Sequence, residues 1–315
     1  MRLVAGKLAR LVPVLLAVSI LSFLLLNLLP GDPATVILGP SATPAGVAQL
    51  RHQLGLDQPI VVRYWHWLGH AVTGNLGRSY ITGQPVLDAI RQRLPVTVEL
   101  ILLSQLLALA LAVPLGVLAG RRPGSLLDRI STGAAFGFLA VPNFMLGLVL
   151  VYLFADHFHL FPASGFVPLT KNPVQNLRSV VLPVLTLAMA EVAAYLRLLR
   201  SDVIATLQED YIAMARAKGL SDRRVLVRHA LRPSLFSLVT VAGLNLGRLI
   251  GGTFIVEIIF QQAGIGLLGV LSVYSRDYVV VQGTVLVVAV AYVVANFLVD
   301  LAYTLIDPRV RHAAG

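Results

Sequence analysis

Long apolar runs divide the chain into segments that could each cross a lipid bilayer. A helix needs about 20 apolar residues, at about 1.5 Å per residue, to span the hydrocarbon layer. The uncharged runs cover residues 11–29, 100–120, 130–155, 179–190, 233–247 and 279–299, and the fourth and fifth continue as apolar sequence beyond one charge each. The pattern therefore predicts an all-α polytopic membrane protein with six transmembrane helices.

Residues 30–96, between the first two runs, are more polar and are punctuated by prolines. We expect a compact extracytoplasmic segment here, too small to be an independent catalytic domain. Within it, residues 59–72 place Tyr64, Trp65 and Trp67 at helical spacing, and this pattern is typical of a helix that lies at the lipid headgroups.

The stretch 197–233, which we call the elbow, is rich in charge although it lies between two apolar runs. Residues 210–219 read as a helix closed by Gly219, because glycine supplies the left-handed residue after a helix. Ser221 can cap a second helix over 222–231, and Pro233 suits the first turn of the membrane helix that follows. The alternative is an ordinary basic loop between two spans.

The distribution of Lys and Arg predicts the orientation of the chain. A composition of 57% hydrophobic and 13% charged residues excludes a pair of soluble domains. The net charge of +10 is spread over loops, which does not fit a single nucleic-acid-binding face. The loops on the side of the elbow and both termini hold sixteen Lys and Arg residues against eight on the other side. We therefore expect the N- and C-termini and the elbow in the cytoplasm.

The sequence offers no motif for catalysis, metal binding or nucleotide binding. The absence of cysteine removes thiolate chemistry and Cys-ligated metals. His66 and His70, like His157 and His159, lack a third ligand at useful spacing, so we predict no metal site. No phosphate-binding glycine loop and no internal repeat are present, and energy must come from another chain or from an ion gradient.

A few charged or polar residues lie within the predicted spans. Glu191 and Arg248 could form an ion pair only with both side chains stretched towards each other, and Glu191 could equally face a water-filled path. Asn143, next to the proline that interrupts the third span, is a third candidate for such a path, although a simple kink is favoured there. Glu257 and Asp300 are expected near the membrane surfaces, solvated and without a role.

Short motifs along nearly the whole chain carry a family resemblance. They are Leu-Pro-Gly-Asp-Pro at 29–33, Leu-Gly-Leu-Asp-Gln-Pro at 54–59, Gly-Asn-Leu-Gly-Arg-Ser at 74–79, Leu-Pro-Val-Thr at 94–97, Ala-Arg-Ala-Lys-Gly-Leu at 215–220, Arg-His-Ala-Leu-Arg at 228–232 and Asp-Pro-Arg-Val at 307–310. The chain resembles the transmembrane subunit of bacterial ABC importers of the dipeptide/oligopeptide/nickel permease family. In particular it resembles the first of their two unlike permeases, which has an extracytoplasmic scoop.

The resemblance implies a type I ABC importer permease fold divided into four parts. These are a cytoplasmic N-terminus with the first transmembrane helix (1–29), the scoop segment (30–96), a core of five helices containing the elbow (97–305) and a cytoplasmic tail (306–315). The elbow is similar to the loop whose helix docks on the ATPase subunit in such importers. The implied docking residues are Asp210, Ala213, Met214, Ala215, Arg216, Ala217, Lys218 and Gly219, although only Ala215 and Gly219 match the Glu-Ala-Ala…Gly pattern of the wider family.

The implied partners are a second, homologous permease in a heterodimer, two ATPase subunits, an extracytoplasmic solute-binding protein and membrane lipid. ATP and Mg would be bound by the ATPase subunits, with no cofactor on this chain, and the location would be a bacterial inner membrane.

Three classes of function compete on this basis. The first is a non-catalytic permease subunit for di- or oligopeptides, with nickel, glutathione or another small solute as alternatives. The second is an intramembrane enzyme, which is disfavoured because the spans hold neither a Ser/His pair nor an acidic metal motif. The third is an ion-coupled carrier, which would need a relay of several acids within the spans, whereas the sequence offers essentially Glu191 alone.

Overall fold

The computed structural model describes residues 2–28, 33–39, 42–53 and 55–306, and it is nearly all-helical. The helices are α1 (Arg2–Leu28), α2 (Pro33–Leu38), α3 (Pro44–Gln53), α4 (Ile60–Val72), α5 (Val86–Arg121), α6 (Leu126–Ala140), α7 (Asn143–Leu150), α8 (Pro173–Leu207), α9 (Asp210–Ala217), α10 (Asp222–Arg224), α11 (Leu231–Ile259), α12 (Ile265–Tyr274) and α13 (Tyr278–Ile306). Two π-helical segments, Val151–His157 and Val225–Ala230, follow α7 and α10. Over these ranges the one strand-like pairing is an isolated bridge between Arg78 and Pro85, so the all-α prediction is confirmed for the residues described.

Several helices are long and apolar enough to cross a membrane. Within the described ranges they are Val86–Arg121, Pro173–Leu207, Asp222–Ile259 and Tyr278–Val299, with a fifth span if the bent pair Leu126–Ala140 and Asn143–His157 crosses as one. Shorter apolar stretches lie in α1 (Leu11–Leu24) and in α12. The structure thus has at least four candidate spans, each at a position where the sequence predicts one.

The third predicted span is broken rather than kinked. Its two halves meet at 104° around Pro142, which precedes the first residue of α7. Proline disfavours a helical conformation in the residue before it, and Val141 is accordingly extended, with φ −91° and ψ 124°. Pro183, by contrast, lies inside the continuous helix α8. The expected simple kink at Pro142 is therefore wrong.

The chain forms two compact units. The first, Met1–Pro95 with Gly264–Phe297, brings the segment after α4 onto the turn between α12 and α13. There the buried Ser79 hydroxyl donates to the buried Asp277 carboxylate, which also accepts from the Tyr80 backbone N–H at 3.4 Å. Burial, with a smaller contribution from Asp277, raises the pKa of Tyr80, so its phenol stays neutral.

In the second unit, Val96–Ala263 with Leu298–Gly315, α8 is the central helix and packs against α6, α7 and α11. Its Tyr195 and Leu199 are fully buried. It also approaches α5 closely, because a Cβ added at Gly120 would lie only 2.9 Å from the Arg200 carbonyl oxygen. This tightly held helix carries Glu191 and leads directly into the elbow.

The second helix of the elbow does not end at residue 231. It runs from Asp222 through the π-helical segment to Ile259 without a break. Pro233 has no N–H and would crowd the carbonyl of His229, and the wider π turn just before it relieves this conflict. The Tyr211 hydroxyl donates to that carbonyl at 3.5 Å. The expected boundary at residue 231 is wrong because the π turn lets one helix continue.

Candidate functional site

The first helix of the elbow ends as the sequence predicts. Gly219 has a φ of +79°, its N–H donates to the Arg216 carbonyl at 2.9 Å, and the Leu220 N–H donates to the Ala215 carbonyl at 3.3 Å. This pair of bonds is the Schellman motif, which satisfies carbonyls that the end of a helix leaves open. The predicted helix closed by Gly219 is therefore confirmed.

The elbow has an apolar interior of its own. Ile212, Ala215 and Val225 are buried against one another, with Leu207 and Leu220 packed around them. Ala215 is only 8% exposed, so its methyl group faces this interior. The family resemblance implied that Ala215 is one of the docking residues, but the structure places its side chain inside the elbow.

The remaining docking candidates lie on the outside of the elbow. Asp210, Ala213, Met214, Arg216, Ala217, Lys218 and Gly219 are all exposed. Met214 is 59% exposed and Tyr211 is 44% exposed, which places two large apolar side chains on this surface. Arg216 and Asp222 form an ion pair at 3.8 Å, but both are well exposed, so the pair contributes little stability. The surface thus combines exposed apolar side chains with positive charge.

A second group of polar side chains lies within the membrane helices α5, α8 and α11. Glu191 is 7% exposed, and its carboxylate accepts a hydrogen bond from Asn245 Nδ2 at 2.5 Å. Asn245 Oδ1 accepts in turn from Arg248 Nη1 at 3.2 Å. The Tyr195 hydroxyl accepts from Asn245 Nδ2 at 3.2 Å and donates to Gln105 Oε1 at 3.2 Å. Asn245 therefore connects the acid to the base.

The structure does not show the direct ion pair between Glu191 and Arg248. The side chains of Glu191 and Arg248 are joined through Asn245 rather than by direct contact, and it is Arg248, not Glu191, that is exposed. Asn143 is also exposed at the start of α7, and the bonds between Glu191 and Arg248 do not pass through it. A role of these three residues in a solute path remains a prediction.

The structure corrects the expectation that Glu257 is solvated. Glu257 is 0% exposed and accepts a hydrogen bond from the Thr97 hydroxyl at 2.6 Å. Burying a carboxylate is costly unless hydrogen bonds compensate it, so this contact joins α5 to α11 firmly. The side chain of Asp300, which was given the same expectation, lies outside the part of the chain whose side chains are described.

Asp128 forms a buried ion pair that the sequence reasoning missed. Its buried carboxylate, on α6, accepts two hydrogen bonds from the guanidinium of Arg200 on α8 and one from the Gly124 N–H at 2.8 Å. The signal was available, because Ser125 and Asp128 form a Ser-x-x-Asp capping pattern before an apolar run. The Ser125 hydroxyl accepts from the Asp128 N–H at 3.3 Å.

Asn245 and Tyr195 were missed for a different reason. Neither is charged, so neither stood out in an apolar run, although Asn245 lies three residues before Arg248 and therefore shares its helix face. Among the residues that the structure describes, no group of three His, Asp or Glu side chains is suited to hold a metal ion.

Together, the apolar helices and the interior polar network are typical of a polytopic membrane protein. Residues 112–312 match the family described as binding-protein-dependent transport system inner membrane component, and residues 1–101 match the N-terminal part of such components. The chain belongs to this family.

Sequence similarity to known proteins extends over nearly the whole chain. One from Brucella abortus (strain 2308), named as a peptide transport system permease protein, is 42% identical over 98% of this chain and 99% of its own. The oligopeptide transport system permease protein AppB of Bacillus subtilis (strain 168) is 39% identical over 96% of each. The glutathione transport system permease protein GsiC of Escherichia coli O6:H1 is 36% identical over 98% of each.

A solved structure has a similar fold. Inward-facing conformations of the MetNI methionine ABC transporter include a chain that matches with a TM-score of 0.56 at 17% identity, covering 70% of this chain and 96% of that one. At this level of identity the match shows a similar fold and nothing further.

Proposed function

We propose that this chain is a permease subunit of an ATP-driven importer of di- or oligopeptides. The observation that carries the proposal is the full-length similarity, at 39 to 42% identity, to proteins named as peptide and oligopeptide permeases. The chain would form the membrane path with a second, homologous permease. Two ATPase subunits would bind ATP and Mg, and an extracytoplasmic binding protein would deliver the solute.

In this proposal the chain crosses a bacterial inner membrane six times, with both termini in the cytoplasm. The spans would be α1, α5, the bent pair α6 and α7, α8, α11 and α13. Residues 1–29 and 306–315 would form the N-terminal part and the tail, 30–96 the extracytoplasmic scoop and 97–305 the core. The supporting features are the excess of Lys and Arg near the elbow and the apolar stretch of α1.

The proposed mechanism is alternating access driven from the elbow. Closure of the ATPase subunits would push on the exposed surface around Tyr211 and Met214. The Schellman turn and the apolar interior make the elbow stiff enough to pass this movement to α8 and α11, which it joins directly. The chain itself would carry out no chemical step.

Thiol labelling tests the topology. Because the chain has no cysteine, Thr43→Cys and Ser221→Cys can each be placed without background within the chain. On intact cells an impermeant thiol reagent should label position 43 and not position 221, and both sites should react after the cells are opened. Labelling at 221 but not at 43 on intact cells would reverse the proposed orientation.

Reconstitution tests the activity. Vesicles that contain the permease pair, the ATPase subunits and the binding protein should accumulate labelled di- or oligopeptide only with ATP, and a protonophore should have no effect. Glutathione is the second candidate solute, because one full-length relative is named as a glutathione permease. Uptake of glutathione or nickel in place of peptides would change only the solute that we propose. Uptake that needs an ion gradient and no ATP would refute the proposal of an ATP-driven importer.

A further inference from the structure

Arg248 is a cation in the middle of an apolar helix, and its side chain is exposed. It follows Leu231, the first residue of α11, by 17 residues and precedes Ile259, the last, by 11. At about 1.5 Å per residue, the nearer end is about 17 Å away, which is too far for the side chain to reach a membrane surface. A guanidinium at this depth does not face lipid, since hydrocarbon excludes it.

The protein holds this guanidinium at one edge only. Among the described residues, its guanidinium donates one hydrogen bond, from Nη1 to Asn245 Oδ1 at 3.2 Å. An arginine side chain has five N–H donors arranged as a fork, so the remaining edge is open to a ligand. This fork matches the oxygens of a carboxylate or of a phosphate, and of these two groups every peptide carries the carboxylate.

Glu191 sets the direction of the Asn245 amide and so the position of Arg248. A carboxylate can only accept hydrogen bonds and a guanidinium can only donate them. Asn245 must therefore turn its NH₂ group towards Glu191 and its oxygen towards Arg248, as the structure has it. The negative charge of Glu191 offsets the positive charge of Arg248 across Asn245. Because Glu191 does not bind the guanidinium directly, the remaining N–H groups of Arg248 are free for a ligand.

The surface around Arg248 is apolar and unobstructed. Leu244, Gly251 and Ile255 lie on the same stripe of α11, and Leu244 and Ile255 are each 51% exposed. A Cβ added at Gly251 would meet no atom within 4 Å, so there is free space one turn beyond Arg248. A cation on an otherwise apolar wall fits a class of cargo whose side chains vary but whose C-terminal carboxylate is always present.

We propose that Arg248 is a transient binding site for the C-terminal carboxylate of peptides inside the membrane path, with Asn245 and Glu191 as its positioning residues. This inference rests on the proposed function of the chain as a peptide permease. It adds a site of defined chemistry to that function. It also predicts that the path contacts the common end of the cargo and not its variable side chains.

The test uses a cysteine placed one turn from Arg248, in the complete complex in lipid nanodiscs. Leu244→Cys introduces the chain's single thiol, and the complex with the cysteine-free chain gives the background from partner subunits. The rate of modification by a water-soluble thiol reagent is measured with millimolar Gly-Ala-Ala or with its C-terminal amide. The free peptide should slow the modification, and the amide should not.

Variants of Arg248 in the Leu244→Cys background identify the group responsible. Arg248→Gln should raise the peptide concentration for half protection by about tenfold or more, because a hydrogen bond to a charged group is worth roughly 1.5–3 kcal/mol. Arg248→Lys keeps the charge but not the fork, and it should retain part of the protection. It also serves as a check that the complex assembles when Arg248 is replaced.

The outcomes separate the site from the function. Equal protection by peptide and amide, or protection that survives Arg248→Gln, would overturn the carboxylate site. So would a thiol at 244 that no reagent reaches, since a partner subunit or lipid would then cover the stripe. If vesicles with the unmodified chain import peptides while any of these results is found, only the site is wrong; if they import no peptide, the proposed function fails as well.

Discussion

Arg200 on α8 donates hydrogen bonds from two nitrogen atoms, Nε and Nη2, to the buried carboxylate of Asp128 on α6. Arg200 lies seven residues before the end of α8, in the first part of the elbow. An arginine that engages a carboxylate in this forked manner fixes direction as well as distance. The contact therefore holds α8 against α6 at the point where movement of the elbow would enter the helix bundle.

The first prediction concerns this ion pair. Asp128→Asn keeps the shape but loses the charge, and we expect it to lower the stability of the chain by about 1 to 3 kcal/mol, as for other hydrogen bonds to charged groups. Arg200→Lys should cost a similar amount, since lysine cannot form the fork. Thermal unfolding in detergent, followed by the fluorescence of Trp65 and Trp67, measures both. Arg129→Lys, at an exposed neighbouring position, is the matched control, and equal midpoints in all three variants would contradict the prediction.

The second prediction concerns the turn of the elbow. Gly219→Val should cost about 1 to 2 kcal/mol, because a non-glycine residue is strained at a φ of +79°. A Cβ at this position meets no atom within 4 Å, so the penalty comes from the backbone alone. The spans should insert normally, whereas co-purification of the ATPase subunits and solute-stimulated ATP hydrolysis should fall. Asp222→Ala, which removes one exposed ion pair, is the mild control. Full coupling in Gly219→Val would mean that the elbow is only a basic loop.

The third prediction separates the interior of the elbow from its surface. Ala215→Trp places a large ring in the buried cluster and should unfold the elbow, since overpacking costs about 1 to 3 kcal/mol or more. Ala217→Trp adds the same ring at an exposed position and should leave the elbow folded while it obstructs docking. Hydrogen exchange over residues 207–225 should increase in the first variant only, and ATPase binding should decrease in both. Normal exchange in Ala215→Trp would contradict the burial of Ala215.

The fourth prediction concerns the bridge between Glu191 and Arg248. Asn245→Leu removes the donor to a buried carboxylate and should lower the yield and the unfolding temperature, because an unsatisfied buried group costs about 1 to 3 kcal/mol or more if charged. Glu191→Leu in the same chain should restore part of the stability, since no buried carboxylate is then left without its donor. Leu244→Ala, at the exposed residue next to Asn245, is the control. A double variant less stable than Asn245→Leu would argue against the network.

Features that depend on neighbouring residues in the sequence were predictable. The helices around the long apolar runs follow from the length of each run and the cost of exposing backbone groups to lipid. The end of α9 at Gly219 follows from the tolerance of glycine for a positive φ, which no distant contact alters. The family resemblance was also readable, because its motifs are short and contiguous.

Features that depend on which helix face meets which neighbour could be decided only by the tertiary structure. Residues three or four apart share a face of a helix, but the sequence does not say whether that face turns towards a partner helix, towards lipid or towards water. For this reason Glu257 was expected in water and is fully buried beside Thr97, and Ala215 was expected on a docking face and lies inside the elbow. Asn245 became visible as the link between Glu191 and Arg248 only once α8 and α11 were packed together. Local conformation is set by the backbone and its adjacent side chains, whereas burial and hydrogen-bond partners are set by packing between segments far apart in the chain.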